Sequence, residues 1–125
     1  MPKQGKILLL EDDPILAKCL GQFLVALGVP DVAIVHDNPG GLKAIESADI
    51  SAAFIDVRLK TESSEKTAIL LAERDIPFAF LSGEALSSSL AERFPQAHVL
   101  MKPARKEQLL EMLVKLESET RPGTS

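Results

Sequence analysis

Five short apolar runs alternate with longer amphipathic stretches, and this alternation restricts the fold more than any other feature of the chain. The runs are KILLL (6–10), DVAIVHD (31–37), ISAAFIDV (50–57), IPFAFLSG (76–83) and HVLMKP (98–103). Each is short and apolar on successive positions, as a strand buried on both faces is. Asp13 followed by Pro14 reads as a helix start: a carboxylate can accept from free backbone N–H groups, and proline fits the first turn. Leu16, Leu20, Phe23, Leu24 and Leu27 then recur at helical spacing, and Gly28 stops the run. A weaker helix is expected over 39–47, with Leu42 and Ile45 inward. LKTESSEK (59–66) reads as a polar loop before a short helix over 67–74. Leu86, Leu90 and Phe94 lie four apart and predict a helix over 85–94. The last helix, 105–119, carries Leu109, Leu113 and Leu116 on one stripe, widened by Leu110 and Val114.

A strand followed by a helix, five times over, predicts an α/β fold. It is a three-layer (βα)5 doubly wound parallel sheet with the common strand order 2-1-3-4-5. The chain is 125 residues long, which suits one domain over 1–125 with its core at about 6–119 and a flexible tail at 120–125. With 46% hydrophobic and 26% charged residues it is globular rather than disordered. Aromatics make up 4%, with no Trp or Tyr, so few rings are available to stack on bases or flat cofactors. A net charge of −4 opposes nucleic-acid binding. The single cysteine, Cys19, excludes an internal disulfide and suits a reducing compartment; it reads as a small core residue. No apolar run is long enough to be a signal-peptide core or to span a membrane. The expectation is a cytoplasmic protein with no membrane or nucleic-acid partner.

In such a sheet all C-terminal strand ends share one edge, where ligands bind. Glu11 and Asp12 end the first strand, Asp56 the third, Ser82 and Gly83 the fourth, Lys102 and Pro103 the fifth. With strands one and three adjacent, Glu11, Asp12 and Asp56 converge. Clustered carboxylates repel one another, and a hard divalent cation offsets that repulsion; Mg²⁺ takes oxygen ligands and is commonly shared with phosphate. Lys102 adds a compact positive charge and Ser82 a hydroxyl. Together these groups suit phosphoryl transfer with an aspartate as nucleophile. Asp13 reads as a helix cap rather than a ligand. His36 and His98 read as structural or exposed, because no Cys or His cluster accompanies them. The serines at 87–89 read as the wet side of a helix.

The motifs ILLLEDD, FIDVRL, FLSG and MKP, in that order over about residues 6–104, resemble those of the receiver domain of bacterial two-component response regulators. The resemblance implies that Asp56 is the phosphoacceptor. It implies that Glu11, Asp12 and Asp56 hold Mg²⁺, with the main-chain carbonyl of Arg58 as a further ligand. Lys102 would contact the phosphoryl group, Ser82 would be the switch hydroxyl, and Gly83 the small residue that admits the phosphoryl group. A cis Lys102–Pro103 bond is implied as well. The partners implied are a histidine kinase or phosphotransfer protein upstream. Downstream, a protein would be bound through helix four, strand five and helix five, a face that also suits a homodimer. The chain would act on itself alone and so is not an enzyme in the turnover sense. Its fourth strand is similar to the PFxFxTG-like strand of an atypical single-domain group.

Three departures stand out. The loop after Asp56 lacks the usual Pro and Gly. Val99 stands where the family places Tyr or Phe, and Ala104 where it often has Phe. These spare the chemistry and touch the readout, and they leave a second reading: a pseudo-receiver that is never phosphorylated and serves as a scaffold. A flavin carrier would want a Ser/Thr-rich phosphate loop where this chain is acidic. A dehalogenase-type phosphatase would want DxD after the first strand, where EDD stands. Arg58 and Glu84, two residues after Asp56 and Ser82, are expected to pair across the mouth of the site and slow water attack on an acyl phosphate.

Overall fold

The computed structural model describes residues 6–95 and 97–119. The expected tail lies outside the described residues. In chain order the elements are β1 (Lys6–Leu10), α1 (Pro14–Ala26), β2 (Val32–Val35), α2 (Asn38–Ser47), β3 (Ile50–Asp56), α3 (Glu65–Glu73), β4 (Phe78–Ser82), α4 (Ser88–Arg93), β5 (His98–Met101) and α5 (Lys106–Glu119). All strand pairs are parallel, and the order across the sheet is β2-β1-β3-β4-β5. This is the doubly wound architecture expected from the alternation.

The pleat divides the apolar residues between two layers. Ile7 and Leu9 of β1, Ala52 and Phe54 of β3, and Ala79 and Leu81 of β4 pack with Leu20 and Leu24 of α1 and with Leu109, Met112, Leu113 and Leu116 of α5. Their alternates, Leu8 and Leu10, Ala53 and Ile55, Phe78 and Phe80, pack with Ile45 of α2 and Ala68 and Leu71 of α3. Phe78, Phe80 and Phe94 stack edge to face at 5.3–6.0 Å, which fixes the end of α4 against β4.

Several local expectations need correction. α3 starts two residues earlier than the sequence suggests, at Glu65, and α4 is shorter, beginning at Ser88. Ser87 caps α4 by accepting from Leu90 N–H at 3.2 Å, so it starts the helix instead of lining it, whereas Ser88 and Ser89 lie on the exposed side of α4 as expected. Leu110 and Val114 do not widen the buried stripe of α5. They are exposed, and Met112 is buried in their place. Cys19 is exposed rather than in the core.

Candidate functional site

The turn after β1 is built by its own side chains. Asp13 caps α1, its Oδ1 accepting from Ile15 N–H at 3.0 Å and Leu16 N–H at 3.3 Å. Asp13 N–H in turn donates to Glu11 Oε2 at 3.1 Å. His36 Nδ1, just beyond β2, is hydrogen-bonded to the Glu11 carbonyl at 2.9 Å. Glu11 N–H donates to Val35 O at 3.0 Å, which extends the ladder one residue past β1. Glu11 is thereby held at the strand end, 1% exposed.

Asp56 is the last residue of β3 and faces the same layer as Phe54. Lys102, following β5, is held by its N–H to Ser82 O at 2.8 Å, and its bond to Pro103 is cis. Its ammonium lies 3.0 Å from Asp56 Oδ1 and 3.0 Å from Glu11 Oε1. Glu11 Oε1 is buried, and the Lys102 ammonium is the cation it faces. Burial, with the Glu11 charge adding to it, pushes the Asp56 carboxyl up to about 7, against the opposing pull of Lys102. Burial alone would lower the Lys102 pKa, but its contacts with Glu11 and Asp56 raise it. One oxygen each from Glu11, Asp12 and Asp56 lies within 4.8 Å of the others. Opposite ligands of an octahedral Mg²⁺ stand about 4.2 Å apart, so a small side-chain shift brings this all-oxygen set to a hard cation. The residues present fit the metal.

Ser82 ends β4 on the opposite pleat parity, with Phe80. Its hydroxyl donates to the Glu84 carbonyl and accepts from Glu84 N–H at 3.2 Å. Gly83 is exposed, and an added Cβ would meet nothing within 4 Å. Arg58 Nη2 donates to Glu84 Oε2 at 2.8 Å, a pair with both side chains well exposed. Glu11, Asp12, Asp56, Arg58, Ser82, Gly83, Glu84 and Lys102 all line one cavity of about 770 Å³. Asn38, which no sequence pattern singles out, is 1% exposed and hydrogen-bonded to the loop after Asp56. Its only sequence signal, Asp37-Asn38-Pro39, reads as an ordinary helix start.

No protein-family model and no curated protein matches the chain. Solved structures do. The receiver domain of Francisella response regulator 1452 matches at 18% identity over 92% of this chain and 98% of that one, with a TM-score of 0.77, which shows the fold. So does the receiver domain of a Pseudomonas aeruginosa sensor histidine kinase with a magnesium ion coordinated in its active-site cleft. It is 22% identical over 93% of this chain and 99% of that one, at a TM-score of 0.78. SdrG from Sphingomonas melonis Fr1 is 36% identical over 89% of this chain and 94% of that one, with a TM-score of 0.75. The chain belongs to the response regulator receiver domains. A receiver acts in two-component signalling, and receivers as a class engage histidine kinases and downstream effectors. This receiver carries the acidic cluster that can hold a metal, with the lysine beside it. No helix among its described residues is long and apolar enough to cross a membrane.

Proposed function

We propose that this receiver is a phosphorylation-controlled switch with Asp56 as the phosphoacceptor. One observation carries the reading: Asp56 lies 3.0 Å from the Lys102 ammonium and is clustered with the carboxylates of Glu11 and Asp12, in one open cavity. An Asp56 oxygen attacks the phosphorus of a phosphohistidine on a histidine kinase or phosphotransfer protein. The P–N bond breaks and the imidazole nitrogen leaves, taking up a proton. Mg²⁺, held by Glu11, Asp12, Asp56 and the Arg58 carbonyl, would supply charge neutralisation on the phosphoryl oxygens. Lys102 contributes a second positive charge, freed for the phosphoryl group as the Asp56 charge is consumed. Ser82 turns its hydroxyl from the Glu84 backbone toward the phosphoryl group, and Gly83 leaves room for the approach. The SdrG structure in a BeF3-activated conformation supports the same class of switching, at 36% identity over 90% of this chain and 95% of that one and a TM-score of 0.74.

The chain acts only on itself: it takes up the phosphoryl group and later loses it to water. The signal passes to a partner protein. On the side of α4, β5 and α5, Val99 and Met101 of β5 and Leu110 and Val114 of α5 are exposed apolar residues that suit such a partner or a second copy. Intact mass after incubation with acetyl phosphate and Mg²⁺ tests the reading. A single phosphoryl adduct that requires Mg²⁺ and is lost in Asp56→Asn is the expected result. If neither acetyl phosphate nor a kinase produces an adduct, the chain is a scaffold instead.

A further inference from the structure

The loop between β3 and α3 lacks the proline and glycine that usually shape it in receivers, yet it is tightly folded. Ser64 N–H donates to Val57 O at 3.0 Å, and Leu59 N–H to Glu62 O at 2.8 Å. Arg58 and Ser63 face each other as an antiparallel bridge. The loop thus doubles back like a small hairpin, with Lys60 and Thr61 at its tip. Isolated hairpins of this size are marginal in water, so something outside the loop must hold it.

Asn38, the first residue of α2, is placed to do so. Its Nδ2 donates to the Ser63 carbonyl at 2.9 Å. Its Oδ1 accepts from Thr67 Oγ1 at 2.6 Å and, more weakly, from Thr67 N–H at 3.4 Å. Asn38 is 1% exposed and Thr67 is fully buried, so the Asn38–Thr67 side of the network is shielded from water, while the Ser63 end is only partly buried. The Asn38 amide and the Thr67 hydroxyl, if either lost its partner, could not turn to solvent. The segments stay close because Gly41, one turn into α2, leaves space that a Cβ would fill, 2.8 Å from Thr67 Oγ1. Asn38 therefore fixes the strand that pairs with Arg58, and Arg58 lines the cavity beside Asp56.

We propose that Asn38 is a positioning residue for the metal site: it holds the β3–α3 loop, and with it the Arg58 carbonyl, in the conformation that receives Mg²⁺. The inference rests on the reading of the acidic cluster as a Mg²⁺ site. Residues that orient ligands from behind typically change metal affinity by tenfold or more.

The test is a titration with Mg²⁺ alone, followed through amide shifts, on wild type, Asn38→Ala, Asn38→Asp and Thr67→Val, together with hydrogen exchange at the Ser64 amide. Asn38→Asp keeps the shape and the acceptor for Thr67 and suits a helix N-terminus, but turns a carboxylate on the Ser63 carbonyl. It serves where Asn38→Ala fails to fold. Thr67→Val removes a buried hydrogen bond and leaves the Ser63 contact intact. The expected result is a Mg²⁺ Kd raised about tenfold in the Asn38 variants, with faster Ser64 exchange, and a Kd within about twofold of wild type in Thr67→Val. An unchanged Kd in folded Asn38 variants overturns the proposal. So does equal weakening in Thr67→Val, which would mean general loosening. A wild type that binds no Mg²⁺ overturns the underlying reading instead, and that is seen before any variant is compared.

Discussion

At the scale of single residues, the site is governed by charge held out of water. The raised pKa of Asp56, about 7 against an ordinary 3.8, means that the folded protein without metal binds a proton that the unfolded chain releases. The stabilisation from that proton is fully present below about 3.8 and is lost as pH rises through about 7. In EDTA, wild type should therefore lose stability relative to Asp56→Asn between pH 5 and pH 8, by an amount on the order of a few kcal/mol. Urea unfolding of both proteins across that range reads the difference, and parallel curves would contradict the raised value. The Arg58–Glu84 pair is exposed, which limits it to roughly 1 kcal/mol or less. Arg58→Ala and Glu84→Ala should each shorten the lifetime of the acyl phosphate by no more than about fivefold, and the double variant should add little. Equal lifetimes in all four proteins would remove the pair from the account of hydrolysis. These residues were legible in the sequence because each stands at a strand end, where topology alone brings it to one edge. Asn38 was not, since nothing local tells a capping asparagine from one that reaches across to another loop.

Among the elements, legibility followed the strength of the pattern. The strands were plain from their apolar runs. The α5 boundaries came within a residue, yet its exposed side did not, because Leu110 and Val114 fit the helical spacing as well as Met112 does. Only the position of the sheet decides which side is covered. α4 proved shorter than its leucine spacing suggests, since Ser87 supplies a cap that starts the helix late. Helix contacts also separate two glycines that look alike in sequence. At Gly21 of α1 an added Cβ would lie 2.9 Å from the Ile34 terminal methyl, which is partly exposed and free to turn. Gly21→Ala should stabilise by roughly 0.5 kcal/mol, the helix propensity gain of about 1 kcal/mol less the cost of moving Ile34. At Gly41 the added methyl would meet buried Thr67, which is fixed by Asn38. Gly41→Ala should cost about 1–3 kcal/mol. Urea midpoints of the two variants shifting in the same direction would contradict this view of the α2–α3 contact.

Across the whole molecule, the fold holds like charges together at one edge of a sheet that carries a packed layer on each face. Glu11 and Asp56 are almost fully buried with one lysine between them. Such an arrangement is under electrostatic strain in the folded state and relieved on unfolding, so a cation that binds only the folded state should act on global stability. At a hundredfold excess over its Kd, Mg²⁺ should add about 2.7 kcal/mol, which for a domain of this size raises Tm by roughly 10 °C. The gain should be larger at pH 8 than at pH 6. At pH 6 the metal must displace the proton that Asp56 retains, because the site sits below its pKa of about 7. Asp56→Asn should lose most of the Mg²⁺ gain and all of its pH dependence, whereas Ser82→Ala should keep both, because its hydroxyl is engaged with the Glu84 backbone rather than with the carboxylates. Thermal unfolding of the three proteins with and without Mg²⁺ at the two pH values gives the comparison. A Mg²⁺ gain that is the same at both pH values would mean that Asp56 is not among the groups that share the ion.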